Sequence, residues 1–113
     1  MSENLLKLLK KITKTGNFRV LIALNKGSKR WSQLEKITDK KTLSNSVNEL
    51  FQLGLIEATI INDTPTGSKA YQLTPLGKKV VQLLEQIEME FEEYHSKVPP
   101  EDPEEFVEGV DRG

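Results

Sequence analysis

Residues 39–55 read DKKTLSNSVNELFQLGL, and the fold turns on how they are read. Leu43, Val47, Leu50 and Phe51 fall at i, i+4, i+7 and i+8, which predicts a helix over about 40–53. Gly54 stands where a helix C′ glycine belongs. The opposite face is unusual. Helix surfaces are mostly filled with Glu, Lys, Gln and Arg, but this one carries Thr42, Ser44, Asn45, Ser46 and Asn48. With Leu43, Val47 and Leu50 inward, a turn of 100° per residue points Lys41, Asn45, Asn48 and Gln52 outward. Such a face is either ordinary solvated surface or one with a polar partner to read.

Upstream, residues 3–14 have Leu5, Leu8, Leu9 and Ile12 at helical spacing, with Ser2 as N-cap. Gly16 and Asn17 are expected to break that helix. A second runs over about 17–26 and ends at Gly27. Ser28 to Trp31 suits a single extended pairing, with Trp31 in the core. Ser32 and Glu35 match S-x-x-E, a capping box that would open a short helix ending near Thr38.

Downstream, the period changes. LIEATII, residues 55–61, is rich in β-branched residues and reads as a strand. NDTPTGSK is turn chemistry, and AYQLT returns as a second strand. Thr74-Pro75 is an N-cap followed by proline at N1. The last helix, about 75–95, has Leu76, Val80, Leu84, Ile87, Phe91, Tyr94 and Val98 close to a heptad seam. Residues 97–113 hold three prolines and six acids from Val98 onward, the composition of a disordered tail. One domain over 1–96 and an acidic tail over 97–113 follow, within the size of a single small core.

The net charge of −1 conceals an asymmetry. Residues 1–79 hold 14 Lys/Arg against 6 Asp/Glu, a net +8, and residues 80–113 hold 2 against 11, a net −9. The basic part could face a polyanion, because it is the distribution that sets the local field. Without cysteine there is no disulfide or thiolate chemistry. No apolar run is long enough to span a bilayer, and no secretory signal is legible. A cytoplasmic protein without membrane contact is expected.

Helix, helix, short helix, turn, helix, hairpin, helix is the order of a helix-turn-helix with a wing. NELFQLGLIEA resembles the L-x-x-L-x-x-x-G-L-I/V exit from the recognition helix of winged helix-turn-helix transcriptional regulators, through Leu50, Leu53, Gly54, Leu55 and Ile56. YQLTPLGKKV resembles their Y-x-L-T-x-x-G after the wing, through Tyr71, Leu73, Thr74 and Gly77. RWSQLEKIT resembles the opening of their first helix-turn-helix helix. The resemblance covers about residues 16–84 and falls in the MarR-like, ArsR-like and HxlR-like group. The apolar seam of the last helix, which one small domain cannot cover alone, points to a long C-terminal dimerisation helix, or else to a helix folded back on the N-terminal one. The resemblance implies a mainly α fold with a small β-hairpin wing. It also implies a third strand at 28–31 and a DNA-binding homodimer that regulates transcription. No effector is implied, and the metal-sensing branch is excluded by one His and no Cys.

Asn and Gln can pair with adenine, Lys can reach guanine, and Ser or Thr can bond base or phosphate. The expected DNA-binding residues are Lys40, Lys41, Thr42, Ser44, Asn45 and Asn48, with Arg30 and Lys69 outside the helix. Lys29 and Lys36 are further phosphate candidates, and Thr66 to Lys69 could touch backbone or minor groove. Glu49 is the one acid in this helix. The expected dimer residues are Leu5, Leu9, Leu84, Ile87, Phe91 and Tyr94. The competing reading is a winged helix used to bind protein in a transcription or replication assembly. The tail could also fold over the basic face. An enzyme is disfavoured: there is no nucleophile–base pair, metal spacing or phosphate loop. His95 and the acids Glu85 to Glu93 read as helix surface, so neither metal nor cofactor is expected.

Overall fold

The computed structural model describes residues 2–97. Two compact units divide the chain, Met1–Val81 and Gln82–Gly113. In order, the elements are α1 (Glu3–Ile12), α2 (Thr15–Asn25), α3 (Trp31–Leu34), α4 (Lys40–Gln52), β1 (Ile56–Ile61), β2 (Ser68–Leu73) and α5 (Pro75–Lys97). The expected tail over 97–113 begins one residue late, because Lys97 is the last residue of α5; its remainder, with Val98 of the expected seam, lies outside the described residues.

In the first unit α2 is the central strut. Val20, Leu21 and Leu24 are buried against a core built from Ile12, Leu34, Leu43, Leu50, Leu55, Ile56 and Val81. The expected break at Gly16–Asn17 does not occur. Lys14 is the N-cap, and both residues are buried in the first turn of α2. A Cβ on Gly16 would stand 2.6 Å from Thr42 Cγ2 and 2.7 Å from Ser46 Oγ of α4. The glycine lets two helices approach closely rather than ending one. Asn17 Nδ2 donates to Lys11 O at 2.9 Å, which ties the connection back to α1. The end of α1 comes earlier than expected, where the Thr13 hydroxyl and N–H both donate to Leu9 O.

The expected S-x-x-E box is also displaced. Arg30 is the N-cap of α3, and Gln33 Oε1 accepts from the Arg30 backbone N–H at 2.8 Å. The cause lies one residue earlier. Lys29 exchanges both backbone bonds with Tyr71 of β2, at 3.0 and 2.8 Å, so Arg30 is the first residue free to turn. The expected third strand over 28–31 is this single bridge. After Leu34 the chain continues in tight turns to Ile37, a shorter helix than Ser32–Thr38.

Asp39 caps α4, its Oδ2 accepting from Thr42 N at 3.0 Å. At the other end Leu55 N donates to Leu50 O and Gly54 N to Phe51 O, both at 3.0 Å, with Gly54 at φ +76°. That pair of bonds is a Schellman motif. It turns the chain into β1, which pairs antiparallel with β2 from Ile56–Leu73 to Ile61–Ser68.

Thr74 then performs two tasks. Its hydroxyl accepts from Gly77 N at 2.9 Å and donates to Gly54 O at 2.5 Å. A Cβ on Gly77 would lie 2.0 Å from Leu55 O, so the start of α5 lies directly on the exit from α4. This contact fixes the first turn of α5 within the first unit. Gly77 and Val81 face the core, while Leu76 of the expected seam is 53% exposed.

In the second unit the described residues are the distal part of α5. Leu83, Ile87, Met89, Phe91 and Tyr94 are exposed. The His95 ring contacts those of Phe91 and Tyr94, with centroids 4.4 and 5.0 Å apart. The acids Glu85 to Glu93 are solvent-facing. No group of three His, Cys, Asp or Glu among the described residues could hold a metal ion.

Candidate nucleic-acid interface

The outward face of α4 follows from its buried one. Leu43, Val47 and Leu50 are in the core, which leaves Lys40, Lys41, Ser44, Asn45 and Asn48 exposed. Two small polar residues of the same helix are turned inward. Ser46 is buried, and Thr42 is half-buried with its methyl toward Gly16. The Thr42 side chain, and after it the backbone N–H, also holds the Asp39 carboxyl below its usual range. The exposed polar set is therefore narrower than the sequence suggested.

Glu49 turns away from that set. Its carboxylate accepts from Lys14 Nζ at 2.9 Å and lies 3.1 Å from Lys11 Nζ. These bonds, Lys14 first, hold its pKa below the usual value. The one acid of α4 thus anchors it to the end of α1. Nothing in the sequence flagged Lys11 and Lys14 for this task, because the Lys14 pairing spans 35 residues and depends on how the helices cross.

Behind α4, Tyr71 is a hub. Its ring centroid lies 6.2 Å from that of Trp31 and 5.9 Å from that of Phe51, the latter edge-on. Lys69 Nζ stands 5.6 Å from the same centroid, on one face of β2. One aromatic side chain thus braces α3, α4 and the wing together.

Arg30 does not stand free. Its Nη1 donates to Asp63 Oδ2 in the wing turn, and Asp63 Oδ1 accepts from Ser68 Oγ at 2.7 Å. The Ser68 hydroxyl first, and then the Arg30 charge, hold the Asp63 carboxyl below its usual range. The remaining candidates are dispersed. Lys36 and Lys69 are exposed, and Lys29 is half-buried beside its bridge.

Arranged this way, a capped helix offers an exposed Lys, Ser and Asn face, with a hairpin immediately after it. The model of HxlR-like helix-turn-helix proteins matches residues 11–99. The chain belongs to the HxlR-like helix-turn-helix family. Three solved structures illustrate the likeness. The reduced form of the transcriptional regulator YodB from B. subtilis has a TM-score of 0.66 at 20% identity, over 90% of this chain and 98% of that one. A MarR-family transcriptional regulator from Enterococcus faecalis V583 has a TM-score of 0.68 at 23% identity, over 86% and 91%. The transcriptional regulator ytfH from Salmonella typhimurium has a TM-score of 0.55 at 28% identity, over 80% and 87%. No curated protein sequence matches significantly.

The HxlR-like family and these neighbours are transcriptional regulators rather than enzymes. No described helix of this HxlR-like chain is long and apolar enough to cross a membrane.

Proposed function

We propose that this HxlR-like chain binds double-stranded DNA with sequence specificity, as a homodimer, with α4 in the major groove. The observation that carries this reading is the exposed run Lys40, Lys41, Ser44, Asn45 and Asn48 on a helix whose other face is locked in the core. In helix-turn-helix proteins the N-terminal residues of the recognition helix reach base edges. Asn45 and Asn48 offer an amide for adenine, and Lys40 and Lys41 a cation for guanine or phosphate. Thr42 serves from the side, at the cap. Lys69 and Arg30 act from the wing and its base, toward the backbone.

The protein-binding alternative calls for apolar groups on this surface. Among the described residues of α4 only Phe51 is a large exposed apolar one, and it leans on Tyr71. That favours DNA. For the dimer, the support is apolar surface left in water: Leu9 in α1, and Ile87, Phe91 and Tyr94 in α5, are exposed, with Leu5 and Leu84 half-buried.

Selection of bound duplexes from a random pool tests the reading. A pseudo-palindrome with half-sites about 34 Å apart is expected. With the selected duplex, Asn45→Ala should weaken binding by about tenfold, and Lys41→Ala should reduce the salt slope by about 0.9. Unchanged affinity and slope in the double variant would overturn the assignment of α4.

A further inference from the structure

We infer that Asp63 is an intramolecular competitor for Arg30, occupying in the free protein the guanidinium that a DNA phosphate takes on binding. The inference rests on the DNA-binding reading above and concerns how tightly the wing engages. Arg30 sits at the N-cap of α3, at the base of the wing, held in place by the Lys29–Tyr71 bridge next to it. Its Nη1 bonds Asp63, while its Nε is buried without a hydrogen-bond partner among the described residues, so the exposed end of the guanidinium is what a phosphate would meet. A guanidinium has five donors in a fixed fork that suits carboxylate and phosphate alike. Asp63 therefore presents to Arg30 the same chemistry that a DNA backbone would.

The pair is open to solvent, with 43% of the Arg30 side chain and 31% of the Asp63 side chain exposed. Exposed pairs of this kind add little to stability, so the exchange costs the fold little. Charge supplies the rest. From Ile56 to Leu73 the chain carries Glu57, Asp63 and Lys69 as its ionisable acids and bases, a net −1. A wing of that charge does not seek a polyanion. With Arg30 on Asp63 the wing tip is neutral. With Arg30 moved to a phosphate, Asp63 is left facing the same polyanion, where like charges repel. Ser68, bonded to Asp63 Oδ1 at 2.7 Å, keeps the carboxylate in place meanwhile. The consequence is a wing whose contribution to affinity is held down by one carboxylate.

The test uses the full chain with Asp63→Asn, Arg30→Gln and the double variant, titrated against the selected duplex and a mixed-sequence duplex across a salt series. Thermal melts check that each variant is folded. The amide introduced by Asp63→Asn retains an acceptor for Ser68. Asp63→Asn should bind both duplexes about two- to fivefold more tightly, with a salt slope steeper by up to about 0.9. Arg30→Gln should cost less than about twofold alone, yet should remove most of the gain when combined with Asp63→Asn, leaving only the part that comes from relieving the repulsion between Asp63 and the polyanion. Such non-additivity marks direct competition. Weaker or unchanged binding by Asp63→Asn, or additive effects, would overturn the inference while leaving the DNA reading intact. Absence of any duplex binding by the unsubstituted chain would end both.

Discussion

At the scale of single residues, three glycines do unlike work. Gly54 takes φ +76° and closes the Schellman motif, a role that its place after the apolar stripe announced. Gly77 and Gly16 matter for the side chain they lack. At Gly77 a Cβ would meet the Leu55 carbonyl at 2.0 Å, and backbone cannot step aside. Gly77→Ala should therefore cost about 3 kcal/mol, lowering the melting temperature by roughly 12–24 °C. At Gly16 the obstructing atoms belong to Thr42 and Ser46 side chains, so Gly16→Ala should cost less, about 1–2 kcal/mol. Chemical denaturation of both variants checks the order, and a milder Gly77→Ala than Gly16→Ala would contradict it. The two sites also differ in how readable they were. Gly77 falls in a motif whose spacing resembles a known wing exit. Gly16 has no local signal, since a glycine shortly past an apolar stripe reads as a stop until the crossing helix is known.

At the scale of elements, local chemistry was legible and long-range pairing was not. The 3.6-residue period of Leu43, Val47 and Leu50, the stop at Gly54 and the turn residues at 62–67 define α4 and the hairpin with little outside help. The start of α3 differs from its expected place because S-x-x-E is a sound local signal that a distant backbone bridge, Lys29 to Tyr71, overrides. The outward set on α4 shrinks for the same reason: Thr42 and Ser46 look exposed until α2 is placed against them. Glu49 is the element-scale counterpart, fastening α4 to Lys14 and Lys11. Its folded pKa lies below the usual 4.5. A depressed pKa gives stability that is present in full above the unfolded value and lost as pH falls through the folded one. Glu49→Gln should therefore melt below the unsubstituted chain at about pH 7, and the gap should close at pH values well below the usual carboxylate range and in high salt. A gap that persisted at low pH would assign the effect to packing instead.

At the scale of the whole molecule, oligomerisation is the question the apolar surface raises. From Gln82 to Lys97 no described residue is fully buried, yet Leu83, Ile87, Met89, Phe91 and Tyr94 all lie on that stretch of helix. An amphipathic helix gains most of its stability from packing its apolar face, and this one carries that face in water. Leu6 and Leu9 in α1 are exposed as well. A second copy of the chain would supply apolar surface of the same kind, since a two-fold interface is self-complementary. Light scattering at micromolar concentration should give twice the chain mass of 12.8 kDa. Ile87→Glu with Phe91→Glu places two charges in that surface and should leave a monomer whose α1–β2 fold still melts cooperatively. DNA sharpens the test, because joining two modules raises the effective concentration of the second. The monomer should lose at least about tenfold in affinity for a duplex with two half-sites and little for a duplex with one. A monomeric unsubstituted chain, or equal losses on both duplexes, would sever the link between the apolar face and DNA binding.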